Sequence, residues 1–264
     1  NQDPVSQGTA TRSGMSSTIY TGNGSTQSVA TGVDMDTGDF GGLVWVKGRS
    51  GATSNLLVDT VRGATIRLAT NVTNPEATEV NGTTSFDSTG FSVGTDSGYN
   101  ANTSTYVAWS WQTTEKTTGT TNRNKAYTCH YNADLGFSIV GYIGDGVDGH
   151  EIPHFLGKEP ELSIWKDRDT VSGWIVQSSL FGLGDFLNLS TTGALSNAAS
   201  VNTIFSDTTI SLDTDAAVNA STKNIINYNF TSIPNVCKIG TYIGTGAAGN
   251  YVDCGFKPAW VISK

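Results

Sequence analysis

The chain has 264 residues, of which only 14% are charged, and its formal net charge is −8. Phosphate backbones and anionic bilayers select clustered Lys and Arg; here the basic residues are scattered and outnumbered, which excludes nucleic acid and anionic membrane as partners, and the acidic excess reads as solubility. No apolar run approaches the roughly 18 residues of a membrane span, and abundant Thr, Val, Tyr, Gly and Asn point to strands and turns, hence an all-β chain with little helix.

Residues 1–17 are polar and aperiodic, which predicts an extended N-terminal arm, either solvated or ordering against a neighbouring subunit. A short strand over 17–20 is closed by the turn Gly22-Asn23-Gly24. Leu43-Val44-Trp45-Val46-Lys47 is strongly apolar and reads as a central strand. Strands follow at 55–59, 65–69, 85–86 and 90–94, and Thr105 to Trp111 closes the unit with Trp109 and Trp111 on one face. Residues 112–135 are expected to be an insertion: an exposed Thr-rich loop, then an extra strand from Lys125 to Tyr131. Lys125 and Tyr127 in it are candidate partner contacts. Further strands are predicted at 136–142, 161–166, 174–177, 186–189, 209–212 and 225–230.

These segments repeat. Tyr20-Thr21-Gly22-Asn23-Gly24 recurs as Tyr142-Ile143-Gly144-Asp145-Gly146 and as Tyr242-Ile243-Gly244-Thr245-Gly246. Downstream of the first two copies a constant offset of 119 residues places Lys47 on Lys166, Arg49 on Arg168, Asp96 on Asp215, Asn100-Ala101 on Asn219-Ala220, and Trp109 and Trp111 on Tyr228 and Phe230. The pattern predicts tandem antiparallel β-sandwich repeats over 18–111 and 136–235, and a third copy begun over 236–264, or a closing strand of the second. The chain begins at Asn1 rather than Met, shows no secretory leader, and ends at Lys264 within an apolar run, so both ends are expected to be fragment boundaries.

Features kept in both copies read as scaffold, and preserved aromatic bulk at 109/228 and 111/230 argues for core. Features in one copy only are where specific function has to reside. Asp59-Thr60-Val61-Arg62-Gly63 becomes Ser178-Ser179-Leu180-Phe181-Gly182, so Asp59 and Arg62 are the sharpest charged pair. They fit a bidentate ion pair closing a strand corner, or a glycan site with Trp45 or Trp109 as stacking face. Asp145 and Asp148 in the acidic 145–151 loop have calcium-like spacing, but the matching loops at Asn23 and Thr245 lack the acids, which favours a Gly-driven turn. His150 and His154 flank Pro153, which removes the helical face of a zinc site. Cys129, Cys237 and Cys254 form no CxxC spacing; they read as buried free thiols, with a Cys237–Cys254 disulfide as the alternative. Glu159 and Glu161 form no acid–base pair with a matching strand, and no GxSxG motif occurs, so no catalytic residue, metal or cofactor is expected.

The segments GLVWVKGRS, LLVDTVRGATIRLATN and TSFDSTGFSVGTDSGYNANTSTYVAWSW, with Gly136-Phe137-Ser138-Ile139-Val140-Gly141-Tyr142-Ile143-Gly144-Asp145-Gly146 and Ile152-Pro153-His154-Phe155-Leu156-Gly157-Lys158-Glu159-Pro160, resemble a repeated domain of large virion proteins in marine tailed phages. The resemblance covers nearly everything after residue 18. It implies a concanavalin-like (jelly-roll) β-sandwich in a tail fibre, spike or other external virion component, with no catalytic residues. The partners it implies are a homo-oligomer, a trimer favoured, other virion proteins, and host surface glycans. A lectin-like module is the second reading and a capsule depolymerase the third.

Overall fold

The computed structural model describes residues 14–264. Most of the arm expected over 1–17 lies outside the described residues; its last residues begin a strand. The first half runs β1 (Met15–Thr21), β2 (Gln27–Ala30), β3 (Gly41–Gly48), β4 (Asn55–Asp59), β5 (Ile66–Ala69), β6 (Ala77–Thr78), β7 (Thr83–Asp87), β8 (Gly90–Val93), α1 (Ser97–Asn100) and β9 (Thr105–Thr113). A hairpin follows, β10 (Glu115–Thr120) and β11 (Ala126–Asn132). The second half runs β12 (Phe137–Ile143), β13 (His150–Pro153), β14 (Leu162–Asp167), β15 (Ile175–Gln177), β16 (Asp185–Asn188), β17 (Ser196–Asn197), β18 (Ile204–Phe205), β19 (Thr209–Leu212), α2 (Ala216–Asn219) and β20 (Asn224–Phe230). The chain is all-β, and its sheets are antiparallel.

The two halves share one topology. The first builds a large sheet β1-β9-β3-β4-β5-β6 and a small sheet β2-β8-β7; the second builds β12-β20-β14-β15-β16-β17 and β13-β19-β18. Each large sheet packs on its small sheet. Val44, Val46, Leu56, Val58, Phe91 and Tyr106 fill the first core; Val140, Tyr142, Trp165, Ile210 and Ile225 fill the last.

A third core lies between the halves. Leu43, Leu57, Leu68 and Trp111 meet Phe137, Ile139, Ile164, Val176, Ile226 and Tyr228 there. The large sheets therefore pack face to face, giving four layers. Side chains alternate across a strand, so β3 sends Val44 and Val46 to one core and Leu43 and Trp45 to the other. Burial on both faces explains why β3 reads as an unbroken apolar run. Trp111 sits between Phe137 and Phe230, with ring centroids 6.2 Å from each.

Three expectations are corrected. The Thr-rich run after Thr113 is a strand, not a loop: β10 pairs with β11, which pairs with β12, so the hairpin widens the second sheet. β-branched Thr suits that pleated surface. No named strand follows β20; beyond Phe230 there is one isolated bridge, Ile233 to Cys237. The apolar segment ending at Lys264 is thus not a strand here, and it adds to neither large sheet. Finally, the cysteines are free thiols, as the favoured reading expected, but only Cys129 is fully buried; Cys237 and Cys254 are half-buried and do not pair.

Candidate functional site

Asp59 and Arg62 sit where the chain leaves β4, at the joint between the large sheets. Both are buried, with 0% and 8% of their surface exposed, so no sugar reaches Asp59. Asp59 Oδ1 accepts from the backbone N–H of Val61 and Arg62, an Asx-type turn set by the Asp-x-x-Arg spacing. Its Oδ2 accepts from Arg62 Nε at 2.6 Å and from the Tyr228 hydroxyl of the other half at 2.7 Å. The pair is not bidentate: the remaining Arg62 nitrogens donate to the carbonyls of Ile66 and Leu57. Asp59 holds the Arg62 guanidinium protonated against the desolvation that opposes it.

The network continues across the joint. Glu76 lies 3.9 Å from Arg62 and takes two bonds from Arg168, at 2.7 and 2.9 Å. Trp174 Nε1 donates to the carbonyls of Ala69 and Val72, and Thr60 Oγ1 meets His130 Nδ1 at 2.7 Å. Burial first, and the Lys116 charge second, pull the His130 pKa down to about 4. The strongest charged groups thus hold the two halves together. Tyr228, Glu76 and His130 escaped sequence reasoning, since their partners are far off in the chain and Glu76 matches Leu195 in the second half.

The acidic loop is held by the hairpin. Asp145 Oδ1 accepts from Val147 N–H, as Asn23 accepts from Ser25 and Thr245 from Ala247. All three loops are the same turn with a different polar residue. The buried Asn219 amide accepts from Asp145 N–H and His150, and donates to the carbonyls of Val147 and Asp213. Asn100 plays that part in the first half, with Asn23 N–H and Gln27 as donors. At the hairpin tip, Thr121 meets His150 Nε2 at 2.9 Å, Asn122 donates to the Gly149 carbonyl, and Arg123 lies 3.7 Å from Asp145 and donates to the Asp148 carbonyl. Asp148 itself is exposed. Lys125 stands in the hairpin turn, and Tyr127 packs on Phe155 with centroids 6.2 Å apart. The structure therefore joins Asp145, Asp148, Lys125 and Tyr127 around one hairpin, remote in contacts from Asp59 and Arg62. Among the described residues no group of three or more His, Cys, Asp or Glu is placed to hold a metal ion.

An open cleft of about 760 Å³ lies at one end of the central core, lined by Trp45, Trp109, Asn55, Asn71, Ser190 and Trp260 among others. Trp45 and Trp109 meet edge to face, and Trp260 from the C-terminal segment lies 6.2 Å from Trp109. Trp45 Nε1 and Ser190 Oγ are buried without a hydrogen-bond partner.

No curated protein and no solved structure matches this chain. A family model described as DUF7483, a domain of unknown function, matches residues 12–264, and the chain belongs to that family.

Proposed function

We propose that the chain is a structural module on the outside of a tailed-phage virion, a fibre, spike or decoration component that works through shape and copy number. One observation carries the structural part: the Tyr228–Asp59–Arg62–Glu76–Arg168 network spends the most reactive-looking charges on joining two sandwiches into one body. The virion part is supported by the motif resemblance, chiefly the GLVWVKGRS and TYVAWSW segments. In this reading the module is a homo-oligomer contacting other virion proteins, and no residue is catalytic. Antibody labelling of intact particles tests it. Label at regular external positions is expected; purified particles that lack the chain overturn the reading.

A second reading, a carbohydrate-binding module, has one observation in its favour. The Trp45–Trp109 cleft combines aromatic faces with the amides of Asn55 and Asn71, the mix that sugar rings and hydroxyls use. A glycan array probed with the protein and with Trp109→Ala separates the two. Binding lost in the variant supports this reading, and no binding by the native chain removes it.

A further inference from the structure

The two complete sandwiches show what the first strand and turn of a repeat bind. In the first, the N–H groups of Gly22 and Gly24 donate to the carbonyls of Ser104 and Asn100. The Asn23 N–H donates to the Asn100 side chain, and the Tyr20 hydroxyl to the Tyr99 carbonyl. In the second, Gly144, Gly146, Asp145 and Tyr142 make the same four bonds, to Lys223, Asn219, the Asn219 side chain and Val218. The acceptors lie on the Asp-capped turn α1 or α2, or just before the closing strand β9 or β20. That closing strand sits between the first and central strands of its repeat, and the strand before the turn, β8 or β19, pairs with the repeat's second strand.

Residues 236–264 hold the other side of a third such unit. At an offset of 100 residues Tyr242, Gly244, Thr245 and Gly246 fall on Tyr142, Gly144, Asp145 and Gly146, and Val252 falls on Ile152 of β13. Pro258 and Lys264 fall on Pro160 and Lys166 at an offset of 98, so Trp260 and Val261 fall on Leu162 and Ser163 of β14. The third turn already has its shape: φ is +67° at Gly246 and +86° at Gly249, against +74° at Gly146 and +78° at Gly149. Trp260, like Leu162, packs on the inter-sheet core, where it meets Trp109 and Trp111. What the third unit lacks is the closing segment. Among the described residues no protein group accepts from the N–H of Gly244, Thr245 or Gly246. Tyr242, Val252 and Val261 are exposed, whereas Tyr142, Ile152 and Ser163 are buried.

We propose that residues 236–264 are the receptor for a partner segment built like β19–β20. It carries a short strand to pair at Val252, an Asp-x-x-x-Asn-Ala turn to sit over Gly244, and a strand to lie between the segments of Tyr242 and Val261. Both segments of that pattern within residues 1–264 are committed, since β9 and β20 each lie between two neighbours. A second copy therefore has none to spare, and the occupant is a different segment. Its backbone takes the free N–H groups, and its apolar side chains cover Tyr242, Val252 and Val261. This is strand addition to a turn that is already formed, which lowers the ordering cost of binding.

A dye-labelled peptide copying residues 207–231 tests the receptor on the full chain. Fluorescence anisotropy should show saturable one-to-one binding, and hydrogen exchange should slow at the amides of 242–246. Gly244→Ala separates docking from folding. A Cβ there meets nothing in the free chain, whereas one at the matching Gly144 would lie 2.2 Å from the Ala220 carbonyl oxygen. The variant should therefore keep native stability yet bind the peptide about tenfold more weakly, or worse. A peptide carrying Asn219→Ala, without the side chain that accepts from the turn, should lose binding in the same way. No binding by the native chain, or equal binding by the Gly244→Ala chain, overturns the proposal. An excess of unlabelled Gly244→Ala chain should leave the native complex intact; displacement of the peptide would make a second copy the occupant and overturn the assignment to a partner. None of these outcomes bears on whether the module is carried by a virion.

Discussion

Removing the Asp59 carboxylate leaves the Arg62 guanidinium buried with its nearest acid, Glu76, 3.9 Å away and already engaged by Arg168. Breaking a buried pair in this way costs about 3–5 kcal/mol, so Asp59→Ala should lower the unfolding free energy measured in urea by that amount, with the double variant Asp59→Ala/Arg62→Met costing less because it also removes the orphaned charge. A loss below about 1 kcal/mol, the range of an exposed pair, would contradict the buried network. His130 gives a pH signature. Its folded pKa, about 4, lies below the ordinary 6.5, so the unfolded chain takes up the proton first. That stability is complete above about pH 6.5 and declines as pH falls to about 4. Thermal melts of the native chain and His130→Gln should converge across that window; parallel curves would show that His130 is not the group. The Asp59–Arg62 pair was legible because its two ends are three residues apart. Tyr228 was not, lying 169 residues from Asp59.

At the scale of elements, the repeated Gly-x-Gly turn has a steric cause. A Cβ on Gly22 would sit 2.2 Å from the Ala101 carbonyl oxygen, and one on Gly144 2.2 Å from that of Ala220. Gly244, in the third copy, has nothing within 4 Å. Gly22→Ala and Gly144→Ala should therefore each destabilise by about 1–3 kcal/mol or more, and Gly244→Ala should stay within about 0.5 kcal/mol; equal effects at the three sites would contradict the packing account. The repeat exposed this motif in the sequence, and the Asn100-Ala101 and Asn219-Ala220 dipeptides that grip it lie in the same register. Strands with apolar alternation were legible for the same reason that they pack. β10 was not, since Thr, Lys and Gly without apolar alternation look like a loop until β11 supplies its ladder.

For the whole molecule, the decisive feature is the core between the halves. Sequence reading placed Trp109 and Trp111 in a core, but not in one shared by both sandwiches, because a face buried against another unit carries the same apolar signal as one buried within its own. Trp111→Ala should cost about 3–5 kcal/mol and weaken both halves, since its ring touches Phe137 and Phe230 of the second. Were the halves independent, only the first would weaken. The C-terminal segment tells the same story from the other side: Tyr242 and Ile243, 57% and 87% exposed, repeat the strand motif of Tyr20 and Tyr142 but are covered by no strand among the described residues. Hydrogen exchange in rising urea tests the fused body most directly, by following peptides from β3–β4 and from β14–β15. Loss of protection in both along one common transition is the predicted result; opening of one pair while the other stays protected would contradict it.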